Sequence, residues 1–195
     1  DLIVAIRHGP VAAEGICYGR WNPPSINPPE ADVETILAGL AGSPTAFGRA
    51  TSAAGGAVRI VFSPADRCRH VGAKLAARLG LEAREDPRIA ELSMGEWEGR
   101  HWRWIEEHDG GRLQAWMEQW ESAAPPGGES LADLEARVRA AAEESAAAGP
   151  TVWITHAGVI RALRVMLHSV AWPTAMQARV LHLAPETFLA GSTSS

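Results

Sequence analysis

The stretch DLIVAIRHGPV, residues 1–11, runs from five apolar residues straight into an arginine, a histidine and a glycine. A continuous apolar run with β-branched members predicts a strand buried on both faces. That strand would deliver Arg7 and His8 side by side and then turn at Gly9. The turn itself holds no carboxylate to pair with them. The negative partner is therefore expected to be a ligand.

Two further stretches repeat the pattern. VRIVFS (58–63) and TVWIT (151–155) read as buried strands, and ARVLHL (178–183) alternates like a strand nearer an edge. Helical patterns lie between them. After VRIVF, Ser63 reads as an N-cap with Pro64 at the first helical position. Cys68, Val71, Leu75 and Leu79 then keep helical spacing until Gly80. Ser130 opens a helix with Leu131, Leu134 and Val138 on one face, stopped by AAAGP (146–150). Another helix is expected from about Gly158 to His168. Alternating strands and helices predict an α/β protein: a three-layer α/β/α sandwich with a mostly parallel sheet. Residues 1–195 read as one domain. Residues 98–128, rich in Trp102, Trp104, Trp116 and Trp120, read as a helical insertion without its own strand. Residues 20–30 are a Pro-rich loop, and 41–56 are small and polar without a readable element.

Composition narrows the function. The chain has 195 residues, 46% hydrophobic and 21% charged, with a net charge of −5. That is enough for a core and carries no electrostatic footprint for nucleic acid. The most apolar long window, 151–172, contains Arg161 and Arg164, so no membrane span is expected. The two cysteines, Cys17 and Cys68, read as free thiols in a reducing cytosol, and no stretch resembles a signal peptide. The protein reads as cytoplasmic, with no signal for oligomeric state. A residue or two of native terminus is expected ahead of Asp1.

Three strand-to-helix junctions each carry cation-capable groups: Arg7 and His8, Arg67, and His156 with Gly158. In open α/β sheets ligands bind beyond the carboxyl ends of strands, where helix N-termini present free N–H groups. Two arginines and two histidines there describe a site for a phosphate dianion. The bland alternatives are a surface ion pair for Arg7 and a packed core histidine for His8. His70, His101, His108, His168 and His182 lack ligand spacing and read as surface or packing residues.

Four segments, RHG (7–9), SPADRCRHVGAKLA (63–76), RIAELSMGEWEG (88–99) and VWITHAGVIRAL (152–163), resemble in order the motifs of the histidine phosphatase superfamily, the phosphoglycerate mutase-like fold. EGICYGRWNPP (14–24) is most similar to the α-ribazole phosphatase branch. The resemblance implies a phosphomonoesterase acting through a phosphohistidine on a phosphorylated small molecule such as α-ribazole 5′-phosphate. It implies His8 as nucleophile, Arg7, Arg67 and His156 as a clamp on the phosphoryl oxygens, and Glu91 as proton donor, with Glu96 and Glu98 as alternatives. Gly158, Tyr18 and Trp21 are expected to contact substrate. No metal or other cofactor is demanded, since arginine supplies the fixed charge.

The chain also departs from the family pattern. Pro10 and Val11 follow RHG, with no asparagine before Asn22, which favours hydrolysis over mutase chemistry. HAG (156–158) stands where HGG is commoner, and Ala157 would be constrained by a positive φ. The family's polar segment after the first loop is not recognisable in residues 30–56. A cofactor-dependent phosphoglycerate mutase and a non-catalytic phosphate-binding module are the alternative functions.

Overall fold

A computed structural model describes residues 2–42 and 58–190. The stretch 41–56 lies outside them from residue 43 on.

The opening run forms β1 (Leu2–Arg7), and alternation along it explains why it is apolar throughout. Ile3 and Ala5 face one core while Val4 and Ile6 face another. The same division holds in β3 (Arg59–Phe62) and β6 (Thr151–Thr155). Val61 and Trp153 join the first core; Ile60, Phe62, Val152 and Ile154 join the second. With β4 (Ala83–Glu85) and β7 (Pro185–Leu189), these strands build one sheet in the order β4-β3-β6-β1-β7. All pairs are parallel except β1 with β7. A buried strand with both faces covered needs apolar side chains on both, so the sheet and its two helical layers form the expected three-layer sandwich.

Helices α1 (Pro29–Ala41) and α2 (Asp66–Leu79) pack on one face, and α4 (Leu131–Ala148) and α5 (Ala157–His168) on the other. Of the expected stripe on α2, Cys68, Val71 and Leu75 are buried and Leu79 partly so, and Gly80 ends the helix in the left-handed region at φ 66°. Ser130 caps α4 in a reciprocal box: its hydroxyl accepts from the Asp133 N–H, and the Asp133 carboxylate accepts from the Ser130 N–H.

Several expectations need correction. Helix α2 begins at Asp66, with Ala65 at the cap position, so Ser63 and Pro64 lie before it. The Ser63 hydroxyl is fully buried and taken by His156 instead. Residues 178–183 are not a strand. Only His182 bridges Arg7, and Leu183 turns the chain at φ 60°. The edge strand is β7, where Pro185 at its start needs no N–H partner. The Pro-rich loop ends at Pro28, and Pro29 starts α1. The insertion has a strand after all: β5 (Arg100–His101) pairs antiparallel with β2 (Ile16–Cys17), through backbone contacts too short to leave a side-chain pattern. Helix α3 (Trp102–Glu118) follows, kinked at Asp109 (φ −140°, ψ 24°). Ala157 carries no positive φ; among the described non-glycine residues only Ser169 and Leu183 do. Among the described residues no helix is long and apolar enough to cross a membrane.

Candidate active site

β1, β3 and β6 run parallel, so their last residues emerge together. Arg7 and His8 leave β1, Arg67 lies in the first turn of α2, and His156 is the residue before α5. The structure brings His8, Arg67 and His156 into contact. The two imidazoles meet edge to face with centroids 5.2 Å apart. Arg67 reaches both, with Nε 3.2 Å from His8 Nε2 and Nη2 3.4 Å from His156 Nδ1.

The hydrogen bonds fix the tautomers. His8 Nδ1 lies 2.6 Å from the Gly9 carbonyl, which only accepts, so Nδ1 carries the proton. His8 Nε2 therefore keeps its lone pair, directed at Arg67. His156 Nδ1 accepts from Arg67, so its Nε2–H donates to Ser63 Oγ at 2.7 Å. Burial above all, then the Arg67 charge, holds His8 well below the usual imidazole pKa. Burial does the same to His156, helped by His8 and Arg67. Both rings are thus neutral. For His8 that is the nucleophilic form. His156 can turn cationic once a dianion arrives to pay for the charge.

Arg67 is itself aimed by carbonyls. Nη1 donates to Trp21 O at 2.9 Å and Nη2 to Gly19 O at 2.7 Å, and its guanidinium lies over the Tyr18 ring. Trp21 contributes this carbonyl; its indole, 42% exposed, packs over Gly99 and lines neither cavity at the site. Arg7 donates to Val180 O at 2.9 Å, while its buried Nε has no partner. Gly9 admits the Asp32 carboxylate, which would lie 2.0 Å from an added Cβ.

Glu91 stands at the start of α5. The Gly158 N–H donates to its Oε1 at 3.1 Å and the Leu92 N–H at 2.9 Å. Gly158 allows this approach because a Cβ there would meet Glu91 Oε1 at 2.2 Å. Gly158 thus lets the Glu91 carboxylate sit against the start of α5, and it also lines the larger cavity described below. The alternative donors are engaged elsewhere: Glu98 accepts from the Arg20 and Met94 N–H groups, and Glu96 pairs with Arg112.

Two cavities meet at Glu91. A small one of about 150 Å³ is walled by Ser63, Arg67, His156 and Glu91, with Arg20 and Asn22 at its side. A larger one of about 590 Å³ extends from Glu91, Gly19 and Gly158 under the insertion, past Tyr18 and Trp102. Trp104 stays outside it, stacked on His108. Among the described residues no group of three or more His, Cys, Asp or Glu side chains is placed to hold a metal ion.

Sequence reasoning missed the supports. Arg137 on α4 donates to the carbonyls of Arg88, Ala90 and Glu91, fixing the segment that carries Glu91. His182 donates to the His8 carbonyl at 2.6 Å. Arg161 lines the larger cavity one turn beyond Gly158, a spacing that could have marked it. Cys68 Sγ touches His156 at 3.6 Å, and burial pushes its thiol up to about 12, so it packs as a neutral group.

The family model of the histidine phosphatase superfamily (branch 1) matches residues 39–184. This chain belongs to that superfamily. The glucosyl-3-phosphoglycerate phosphatase of Mycobacterium tuberculosis is 34% identical over 128 residues, which is 58% of this chain and 57% of that protein. The adenosylcobalamin/α-ribazole phosphatase of Salmonella typhimurium is 34% identical over 85 residues, 41% of this chain and 40% of that one. The chain thus matches only about half the length of these relatives. Among solved structures, the α-ribazole phosphatase from Shigella flexneri superposes with a TM-score of 0.77, covering 96% of this chain and 89% of that one at 21% identity, a likeness of fold.

Proposed function

We propose that this protein is a phosphomonoesterase for small molecules, acting through a phosphohistidine at His8. The observation that carries this reading is the His8 ring, with Nδ1–H tied to Gly9 O and the Nε2 lone pair facing Arg67 beside His156. The family membership and the phosphatase names of the relatives support it.

In the first step His8 Nε2 attacks phosphorus and the ester P–O bond breaks. Glu91, taking a proton as the dianion enters, gives it to the leaving alkoxide. Arg67 turns its N–H groups from His8 to the phosphoryl oxygens, with Arg7 and a protonated His156 beside it. These fixed charges match the three oxygens on which transition-state charge is spread. In the second step water attacks the phosphohistidine, Glu91 takes the water's proton, and the P–N bond breaks to give phosphate and neutral His8.

The whole chain acts as one domain, with 98–128 as a cap over the larger cavity. Its two cysteines are free and buried, which fits a reducing cytosol. The test is hydrolysis of an aryl phosphate in EDTA, with ³²P trapped on the protein by alkaline quench. Label and turnover are expected in the native protein and lost in His8→Ala. Full turnover in that variant would end the proposal. Transfer between phosphoglycerates with a bisphosphate primer, in place of hydrolysis, would mark the mutase alternative.

A further inference from the structure

Arg7 and His8 are held from below by residues 180–183, which follow α6 (Trp172–Gln177). Val180 O accepts from the Arg7 guanidinium at 2.9 Å, the Leu183 N–H donates to Arg7 O at 2.9 Å, and the His182 ring meets His8 O through Nδ1 at 2.6 Å. A carbonyl only accepts, so His182 Nδ1 carries the proton. Leu183 sits in the left-handed region at φ 60°, a costly conformation for a bulky side chain. Burial of its side chain in the second core and its N–H bond to Arg7 keep it there. This turn sets the His182 ring with its centroid 5.6 Å from that of His8.

His8 needs such a hold. Its Nε2 lone pair is free only while the ring proton stays on Nδ1, against Gly9 O. Gly9 is the least constrained kind of residue, and it is required because the Asp32 carboxylate fills the place of a Cβ. If the Gly9 carbonyl swung away, the ring could take the other tautomer, with Nε2–H, which cannot attack phosphorus. Asp32, tied to Asn27 at 2.9 Å, presses on Gly9 from α1. His182 fixes the adjoining peptide: with its oxygen held, the planar His8–Gly9 unit cannot rotate freely.

We propose that His182 is a positioning residue for the reaction: by holding the His8–Gly9 peptide it keeps the His8 proton on Nδ1 and Nε2 free to attack. This inference rests on the phosphomonoesterase reading.

Two variants remove the donor, His182→Leu and the smaller, polar His182→Ser. A third, His182→Asn, keeps an N–H donor near the place of Nδ1. The His8 tautomer is read without substrate by ¹⁵N NMR of the histidine rings, its signals assigned by their loss in His8→Ala. The native protein and His182→Asn should show His8 protonated on Nδ1, and the other two variants a mixture of tautomers. In those two, kcat for p-nitrophenyl phosphate should fall about 10–100-fold, as expected of a slightly misplaced reacting group, and His182→Asn should largely restore it. Inhibition by inorganic phosphate should stay unchanged, because Val180 and Leu183, not His182, hold Arg7; general damage to the fold would weaken it too. If His182→Leu does not fold, His182→Ser decides. A native tautomer or a native kcat without the donor, or a His182→Asn as slow as His182→Ser, would overturn the inference and leave the phosphatase reading intact. No turnover in the native protein, with the tautomers as expected, would overturn the phosphatase reading instead.

Discussion

The two cavities that meet at Glu91 are built on opposite principles. In the small one, Ser63, Arg67 and His156 are buried and paired, and His8 lies behind Arg67 without lining the cavity itself. Ser63 holds His156, His156 and His8 hold Arg67, the Gly19 and Trp21 carbonyls aim it, and Arg137 pins the Glu91 backbone. In the large one, Trp and Met side chains make a shape with few hydrogen bonds, and thioethers adapt to what they cover. A paired network fixes positions to fractions of an ångström and suits a reaction common to many esters. An apolar shape suits discrimination among leaving groups. The chemistry and the selectivity should therefore be separable by mutation.

Arg67→Ala is the largest test of that separation. Losing the central donor should cost about 10³-fold in kcat/KM, as removal of a preorganised charge donor does elsewhere. The loss should be the same for 2-naphthylmethyl phosphate and glycerol 1-phosphate, with Arg67→Lys recovering part of it for both. A loss confined to one ester would join the two cavities into a single functional unit.

Glu91→Gln comes next. Gln keeps the size and the contacts to Gly158 and Leu92 but cannot give a proton. Turnover of alkyl esters should fall about 10²–10³-fold, and of p-nitrophenyl phosphate only a few-fold, since nitrophenolate leaves unassisted. Parallel losses would assign the proton to another group. Gly158→Ala should act through the same carboxylate, because its methyl would occupy the place of Glu91 Oε1. About tenfold loss with alkyl esters is expected, again larger than with the aryl ester, measured in the same assay.

The small cavity was far more legible in the sequence than the large one, for a physical reason. His8, Arg67 and His156 stand at strand ends, and a buried apolar strand announces where it stops. Parallel register then brings distant stops together. Glu91 follows no regular element; it lies between two short 3₁₀ turns, Pro87–Ile89 and Gly95–Trp97, and only the family resemblance singled it out. Ser63 satisfied a helix-cap pattern, but the helix starts at Asp66, and the buried hydroxyl instead lies between the His156 ring at 2.7 Å and the Ala65 N–H at 3.4 Å. Arg137 and Arg161 look like solvated helix residues because periodicity reports which face is apolar and says nothing of what an arginine on its margin can reach. The edge strand was misplaced because alternation in 178–183 outweighed PETFL (185–189), a strand that pairs along one side only. The apolar cavity depends on how α3, α4, α5 and α6 converge, and tryptophans that wall a cavity read the same as tryptophans that fill one.

The smallest expected effect separates the cavities by titration. His8 and His156 have pKa values well below the ordinary 6.5, and that of His182 is also lowered, mainly by burial. The unfolded chain takes up protons at these rings as pH falls through about 6.5, while the native protein does not. Their contribution is therefore full above that pH and drains away as pH falls toward the lowered native values, by up to about 1.4 kcal/mol per pH unit for each ring. The paired carboxylates of Asp86 and Glu129, with pKa values lowered from 3.8 and 4.5, begin to matter only at more acid pH. Between pH 7 and 5 the melting temperature should drop by roughly 5–10 °C, judged from the usual few degrees per kcal/mol. Inorganic phosphate should reduce the drop, because a dianion in the small cavity raises the native pKa of the neighbouring rings and binds only the folded protein. A hydrophobic ligand without phosphate, such as 2-naphthylmethanol, fills only the large cavity; it should raise the curve evenly and leave its slope unchanged. A melting temperature flat from pH 7 to 5 without phosphate would mean the imidazoles titrate normally and are not held neutral. The same change of slope with the alcohol would mean that the large cavity reaches the buried rings.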